Sequence, residues 1–340
     1  MGTGYNSGTD YMTDNQTNIQ KLVQTLGPSA KEHVILAPYT TFKLGGPADI
    51  FFEAKTTEEL VSAVSRAREL SVPVHILGGG TNVLIGDKGI RGLVIKNVTR
   101  KIAMRGIVGA EKLGQSSKKV FVEVDSGVLL NSLVRYTVEE GLQGLEMHLG
   151  LPGTVGGAIY MNSKWTRPVG YVGDCLHSAK ILTPENKTVE VPQSYFEFAY
   201  DYSSLHKTSD ILLTAIFALA VDDKKRLWEI ANSSIAHRRA TQPQGVKSAG
   251  CIFKNITTEQ ALDHNTPEHT TSAGYLIDSV GLKGLTIGGA QISPNHANFT
   301  VNTGQATASD VLQLIKRAKE QVKLRYGIEL EEEVLTVGEF

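Results

Sequence analysis

Residues 150–158 read Gly150-Leu151-Pro152-Gly153-Thr154-Val155-Gly156-Gly157-Ala158, and four of the first eight are glycine. Glycine loses more conformational freedom on folding than any other residue, so this density is costly unless the backbone must pack closely against something. A bound ligand is one such object, and a bulge or a tight bend is another. The stretch therefore marks a ligand-binding loop or a tightly packed turn.

A second glycine-rich loop, Leu77-Gly78-Gly79-Gly80-Thr81-Asn82, follows a predicted strand at 74–77. Successive glycines let backbone N–H groups converge on a phosphate, because no Cβ blocks its approach. The loop lacks the Gly-x-Gly-x-x-Gly dinucleotide fingerprint, whose last glycine would fall at Val83, and it is not a P-loop. An ordinary tight turn is the alternative for this loop alone. Two such loops together favour an extended, phosphate-bearing ligand.

Outward from these loops the chain has the mixed pattern of an α+β protein. Period-2 alternation and β-branched residues predict strands, and apolar residues at helical spacing predict helices. The predicted strands are 49–54, 74–77, 93–96, 101–107, 120–125, 179–182, 188–191 and 211–221; the predicted helices follow Thr56 and cover 129–141, 223–239, 273–280 and 308–326. A composition change near Asp222 indicates a domain boundary.

Composition narrows the class of protein. A chain of 340 residues favours two or three domains. With a net charge of −1 and no basic block, we expect no nucleic-acid partner, and with no long apolar run, no membrane partner. Residues 1–18 are polar and predicted to be a disordered tail without a secretory signal. The spacing of Cys175 and Cys251 fits no metal motif, so we expect no metal site. With no export signal, we expect both to be reduced thiols in a cytoplasmic protein.

The two glycine loops belong to an ordered series of motifs. The series is Thr40-Thr41-Phe42-Lys43-Leu44-Gly45-Gly46-Pro47-Ala48, the loop at 77–84 with Asp87 and Gly89, Ser126-Gly127, residues 141–146 and 150–157, Ser248-Ala249-Gly250-Cys251-Ile252-Phe253-Lys254-Asn255, Ile287-Gly288-Gly289-Ala290, His296, Val301-Asn302 and Gly327-Ile328-Glu329-Leu330. From about residue 34 to residue 338, the chain resembles the flavin-dependent UDP-N-acetylenolpyruvoylglucosamine reductases, the MurB family.

The resemblance implies a fold and a reaction. The fold is α+β, with a two-part FAD-binding region of the vanillyl-alcohol-oxidase (PCMH) type at 19–98 and 99–222. A smaller α+β substrate-binding domain follows at 223–340, and its last strand returns toward the flavin. NADPH would reduce the FAD, which would reduce the enolpyruvyl ether of a UDP-sugar substrate to UDP-N-acetylmuramate, a peptidoglycan precursor. We expect a monomer.

The resemblance also implies site residues. The cofactor-binding positions are Gly78, Gly79, Gly80, Thr81, Asn82, Ser126, Gly127, Pro152, Gly153, Thr154, Gly156, Gly157 and Arg238. The substrate-binding positions are Tyr200, Lys254, Asn255 and His296. From the residues alone, a surface charge on a helix is favoured for Arg238, and a surface histidine in a turn is the alternative for His296.

Cys251 and Glu333 match the catalytic pair of the family. Cys251 stands at the proton donor, commonly a serine; a small buried apolar side chain is the alternative. Alternation over 329–337 would put Glu333 on the face of Leu335 and Val337, where its pKa should be raised. The alternative is a solvated edge strand, and a shift of one register position would move the role to Glu331 or Glu332.

Two segments depart from the family pattern. The family has Tyr-Arg-x-Ser where this chain has Tyr200-Asp201-Tyr202-Ser203, and a carboxylate cannot replace the cation. Lys254, Arg239 or Lys207 is a candidate replacement. Residues 162–167 also differ, although Asn162 is retained. These departures leave open a different flavoenzyme, such as a sugar oxidase, or a flavin or sugar-nucleotide binder without activity.

Overall fold

The computed structural model describes residues 9–112, 115–166 and 169–340 of the chain. The first unit carries the first glycine loop. Its elements are α1 (Thr9–Leu26), β1 (Lys31–Ile35), β2 (Pro47–Ala54), α2 (Thr57–Glu69), β3 (Val74–Leu77), β4 (Val83–Ile85) and β5 (Ile90–Asn97). The sheet has the order β1-β2-β5-β3, with β2, β5 and β3 parallel and β1 antiparallel. The loop at 78–82 therefore leaves the carboxyl end of a parallel strand.

Helix α2 packs on this sheet and begins at an N-cap. The Thr56 side chain accepts a hydrogen bond from the Glu59 backbone, while the Glu59 carboxylate accepts one from the backbone of Lys55. The N-cap is therefore present, but it is not a capping box: the Glu59 carboxylate accepts from the N–H of Lys55 instead of from the N–H of the N-cap residue Thr56. Leu60 and Val64 are fully buried against the sheet.

Helix α1 corrects the prediction of a disordered tail at 1–18. Residues 9–18 form the first part of this helix, and residues 1–8 lie outside the described residues. The prediction was wrong for 9–18 because it rested on local polarity alone. Further along the helix, Leu22 is fully buried, and Ile19 and Val23 pack on the same core. This tertiary packing stabilises the helix, and the polar residues 9–18 continue it toward the N-terminus.

The second unit is built on an antiparallel sheet and carries the second glycine loop. Its elements are β6 (Ile102–Lys112), β7 (Gln115–Asp125), α3 (Leu130–Glu139), β8 (Leu142–Gln143), α4 (Val155–Tyr160), β9 (Lys164–Thr166), β10 (Val169–Tyr171), β11 (Leu176–Leu182), β12 (Thr188–Pro192) and β13 (Ile211–Val221). The strand order is β12-β11-β13-β7-β6, β8 pairs with β13, and β9 and β10 form a separate hairpin. Val120, Val122 and Val124 alternate onto the buried face of β7, as the sequence predicts.

The third unit completes the chain. Its elements are α5 (Lys224–Thr241), α6 (Thr258–Asp263), α7 (Ala273–Ser279), β14 (Thr286–Ile287), β15 (Ala290–Ile292), β16 (Thr300–Asn302), α8 (Ala308–Tyr326) and β17 (Leu335–Val337). A three-stranded antiparallel sheet, β14-β15-β16, packs with α7 and α8 around one core. Helix α5 instead contributes Leu227 and Ala231 to the core of the second sheet. The domain boundaries stay a prediction.

The last strand crosses back to the first unit. β17 pairs in parallel with β4, matching Leu335 to Val83 and Val337 to Ile85. The segment before it is not a continuous strand: residue Glu332 makes an isolated bridge to Phe253. Within the described residues, no helix combines the length and apolar character needed to cross a bilayer.

Candidate functional site

A cavity of about 1270 Å³ lies where the three units meet. Both glycine loops line it, together with Cys251 and Glu333 of the third unit. Single small-molecule pockets usually have about 300–1,000 Å³. The cavity therefore has room for a large cofactor and a second ligand beside it.

The two glycine loops touch each other and need their glycines to do so. A Cβ on Gly79 would lie 2.7 Å from the Cα of Gly153, and a Cβ on Gly78 would lie 2.4 Å from Oγ1 of Thr154. Gly153 itself has a φ of +114°, which side chains rarely adopt. The close approach leaves two stretches of backbone side by side in the cavity wall, where their N–H groups can face a phosphate.

Most of the cofactor positions named from the sequence line this cavity. These are Gly78, Gly79, Gly80, Thr81, Asn82, Ser126, Pro152, Gly153, Thr154, Gly156, Gly157 and Arg238. Gly127 does not line it: its N–H donates to Oγ1 of Thr99, and a Cβ there would meet Asn97. The need for glycine at 127 is thus explained by packing within the protein.

Arg238 is not the surface charge that its helix pattern allows. Its guanidinium lies 4.9 Å from the ring centre of Trp165, and its buried Nε has no hydrogen-bond partner among the described residues. Burial lowers its pKa to about 10, while the charge of Cys251 acts in the opposite direction. A buried donor without a partner at a cavity wall fits a ligand that supplies the acceptor.

Backbone pairing brings Cys251 and Glu333 into the same end of the cavity. The Lys254 N–H donates to the Glu331 carbonyl, and the Glu333 N–H donates to the Ile252 carbonyl, at 2.9 and 2.8 Å. Asn298 holds the other side, since its side chain accepts from the N–H and donates to the carbonyl of Phe253. We call Tyr200, Asp201, Cys251 and Glu333 the reaction end.

The Asn82 side chain joins this end to the first glycine loop. Its amide donates to the Glu333 carbonyl at 3.0 Å, and the Leu335 N–H donates to the Asn82 carbonyl. The register also separates the three neighbouring glutamates. Of these three glutamates, Glu333 alone is among the described residues that line the cavity. Glu332 pairs with Lys319, and the exposed Glu331 lies beside Lys254.

Three acidic groups of the reaction end, Glu333, Asp201 and Cys251, have pKa values above their ordinary values. Burial, and then the charge of Asp201, raise the pKa of Glu333 to about 8. Burial also raises the pKa of Asp201 to about 6, against the opposing charges of Lys254 and Lys164. The pKa of the Cys251 thiol is raised by burial and by both carboxyls, with Arg238 opposing. At neutral pH, Cys251 and Glu333 therefore keep protons that they can donate.

The substrate positions named from the sequence divide into two groups. Tyr200 and Asn255 line the cavity, and the Asn255 N–H donates to the Tyr200 hydroxyl. Lys254 is not among the described residues that line the cavity, and its Nζ lies 3.6 Å from a carboxylate oxygen of Glu331. His296 is half-buried outside the lining; its Nδ1 accepts from the Asn298 N–H and its ring packs edge-on against Phe299. The functional roles of all four stay predictions.

The sequence reasoning missed Lys164 and Trp165, which line the cavity from the hairpin β9-β10. Of the cations considered for the role of the missing arginine, Lys207 lies over the Tyr202 ring and Arg239 borders a separate small pocket. The sequence did contain one indication of a role for Lys164, since it lies in the segment 162–167 that departs from the family pattern. The last residue of that segment, Arg167, lies outside the described residues.

Two models of known families match successive parts of the chain. Residues 48–192 match the family model "FAD binding domain", and residues 242–337 match "UDP-N-acetylenolpyruvoylglucosamine reductase, C-terminal domain". A reductase of that name from Moorella thermoacetica is 37% identical over 304 residues, covering 89% of this chain and 92% of its own. One from Listeria welshimeri is 34% identical over 322 residues, covering 95% and 99%.

Solved structures agree on the fold. The UDP-N-acetylenolpyruvylglucosamine reductase of Thermus caldophilus superposes with a TM-score of 0.70 at 33% identity, covering 89% of this chain and 97% of its own. A vanillyl-alcohol-oxidase-type flavoprotein from Myceliophthora thermophila reaches 0.50 at 9% identity, covering 94% and 86%, and is alike in fold alone. The predicted α+β class with an FAD-binding region of that type is confirmed. Matched through its FAD-binding part, its reductase part and nine-tenths of its length, the chain belongs to the UDP-N-acetylenolpyruvoylglucosamine reductase family.

Proposed function

We propose that this protein is an NADPH-dependent, FAD-containing reductase that converts UDP-N-acetylglucosamine enolpyruvate to UDP-N-acetylmuramate in peptidoglycan precursor synthesis. The observation that carries the proposal is the meeting of Cys251 and Glu333 with both glycine loops in one cavity. FAD bound on the two loops would supply the hydride, and an acid pair beside it can supply the proton that reduction of a carbon–carbon double bond also needs.

The residues present fit a bound FAD. The paired loops at 78–82 and 152–157 would take its pyrophosphate, and the unpartnered Nε of Arg238 offers a further donor. When bound, FAD would supply hydride chemistry, accepting a hydride from NADPH and giving it to the methylene carbon of the enolpyruvyl group. The protein would supply placement, exclusion of water and protons.

Cys251 would provide the proton that balances the hydride. One hydride and one proton add across the double bond, NADPH leaves as NADP⁺, and the carbon next to the carboxylate takes the proton from the thiol. Burial and the two carboxyls keep that thiol protonated until negative charge develops. Arg238, which favours the thiolate, would stabilise the sulfur after the transfer.

Glu333 would act as a neutral acid at the same end. With a pKa of about 8, it is mostly protonated at pH 7 and can donate a hydrogen bond where an ionised carboxylate would repel the substrate. A donor aimed at the developing enolate stabilises the transition state more than the ground state. The structural prerequisite is the Glu333 N–H bond to Ile252, which fixes this residue beside Cys251.

The test separates the two halves of the reaction under anaerobic conditions. Purified protein should show the yellow flavin spectrum, bleach on adding NADPH, and recover its colour on adding the enolpyruvyl substrate. Cys251→Ala should bleach normally and recover slowly, whereas Cys175→Ala, which changes the cysteine outside the cavity lining, should behave like the wild type. Bleaching without recovery in the wild type would refute the proposed substrate.

A further inference from the structure

The reaction end has an excess of acidic groups for a substrate that is itself an anion. Asp201 and Glu333 lie close enough for the charge of Asp201 to raise the pKa of Glu333, and Oδ2 of Asp201 is buried without a hydrogen-bond partner among the described residues. The substrate of the proposed function brings one more carboxylate. Binding it beside two carboxyls requires a cation that faces the cavity.

Two lysines act on both carboxyls, but they differ in what they face. Lys254 has the larger effect on each, yet its Nζ lies 3.6 Å from Glu331, and it is not part of the described cavity lining. Lys164 lines the cavity, and its Nζ lies 4.7 Å from the centre of the Tyr200 ring. No described carboxylate lies within 4.0 Å of this ammonium, so its charge stays available to a ligand. An aromatic face attracts an ammonium without neutralising it.

The position of Lys164 is fixed by its hairpin. In the register of β9 and β10, Lys164 stands opposite Tyr171. Asn162, at the base of the hairpin, donates to the Ala199 carbonyl at 3.0 Å and accepts from the Gly173 N–H at 3.1 Å. Asn162 is buried, so these bonds tie the hairpin to the turn that carries Asp201.

We propose that Lys164 is the cation that binds the carboxylate of the enolpyruvyl substrate, in place of an arginine at position 201. The inference rests on the proposed function, because that function supplies the carboxylate. The Tyr200 ring holds the ammonium at the reaction end, and the charge of Asp201 acts on it only at longer range. The lysine charge stabilises the negative charge that grows on the substrate carboxylate during reduction.

The test compares two ligands that differ by the carboxylate. Each is titrated against the oxidised holoprotein, and binding is followed by the change in the flavin spectrum. Lys164→Gln should weaken binding of the enolpyruvyl substrate at least tenfold while leaving the affinity for UDP-N-acetylglucosamine, which has no carboxylate, unchanged. Lys164→Arg should keep most of the affinity, and Lys207→Ala, a matched cation outside the described lining, should change neither ligand.

A kinetic measurement completes the test. Chemically reduced holoprotein is mixed with the substrate, and recovery of the flavin absorbance should be at least tenfold slower in Lys164→Gln. Adding Asp201→Arg to Lys164→Gln should restore both binding and rate. The inference is overturned if Lys164→Gln loses affinity equally for both ligands, if it matches the wild type, or if Lys254→Gln alone shows the selective loss. If wild-type flavin never recovers with this substrate, it is the proposed function that fails.

Discussion

Glu333→Gln is expected to change how the stability of the fold depends on pH. The carboxyl has a pKa of about 8 in the folded protein against an ordinary value of 4.5, with burial as the main cause. The folded state therefore binds this proton more tightly than the unfolded chain. The resulting stabilisation is fully present below pH 4.5, declines above it and is lost as the pH rises through 8. Glutamine stays neutral, so the variant lacks this decline.

The size of the effect follows from the same two values. Between pH 4.5 and 8, each pH unit should lower the folded-to-unfolded ratio of the wild type about tenfold relative to the variant. The full shift corresponds to an upper limit of about 5 kcal/mol. Part of this free energy comes from repulsion between Glu333 and Asp201, and removing the Glu333 carboxyl also removes the repulsion that Asp201 experiences. We expect the variant to gain roughly 2–4 kcal/mol over the wild type between pH 5 and pH 9.

Urea unfolding followed by circular dichroism measures this difference. Midpoints are recorded at half-unit steps from pH 5 to pH 9 for the wild type, Glu333→Gln and Glu331→Gln. Glu331 is the matched control, because its carboxylate is two residues away and 77% exposed. If the wild type and Glu333→Gln fall in parallel with rising pH, the reasoning from burial is refuted.

Three further variants test the walls of the cavity. Gly79→Ala should weaken FAD binding about 10- to 100-fold by fluorescence titration, because a Cβ there meets Gly153, while Gly106→Ala, with open space around it, should bind normally; equal affinities would contradict the loop contact. Cys251→Ala should slow reoxidation of the reduced flavin by substrate about 100-fold or more in stopped flow, and Cys251→Ser should recover much of the rate; a fast alanine variant would exclude the thiol as proton donor. Asn298→Ala should lower the free energy of unfolding by about 2–3 kcal/mol, since two buried hydrogen bonds to Phe253 are lost, whereas the exposed Asn295→Ala should cost little; similar urea midpoints would contradict this.

The sequence predicts elements wherever periodicity and capping act locally. Strand β13 and helix α8 have the predicted bounds, 211–221 and 308–326. Each has a long apolar pattern that is compatible with one type of secondary structure only. Helix α1 was missed, since its stability comes from Leu22 packing on a distant sheet. Lys164 was missed for a similar reason: what brings it to Tyr200 is the side chain of Asn162, and no spacing in the sequence encodes that bond.

The pairing of β17 with β4 has a consequence for biosynthesis. The Asn82 side chain and the Glu333 carbonyl that it binds are 251 positions apart in the chain. At about 5–20 residues per second, a ribosome needs roughly 10–50 s to add that stretch. Through this interval β4 lacks the strand that covers it, and an uncovered strand edge is a site for wrong pairing. Both glycine loops are synthesised before Glu333 exists, so the reaction end is the last part of the cavity wall to be completed.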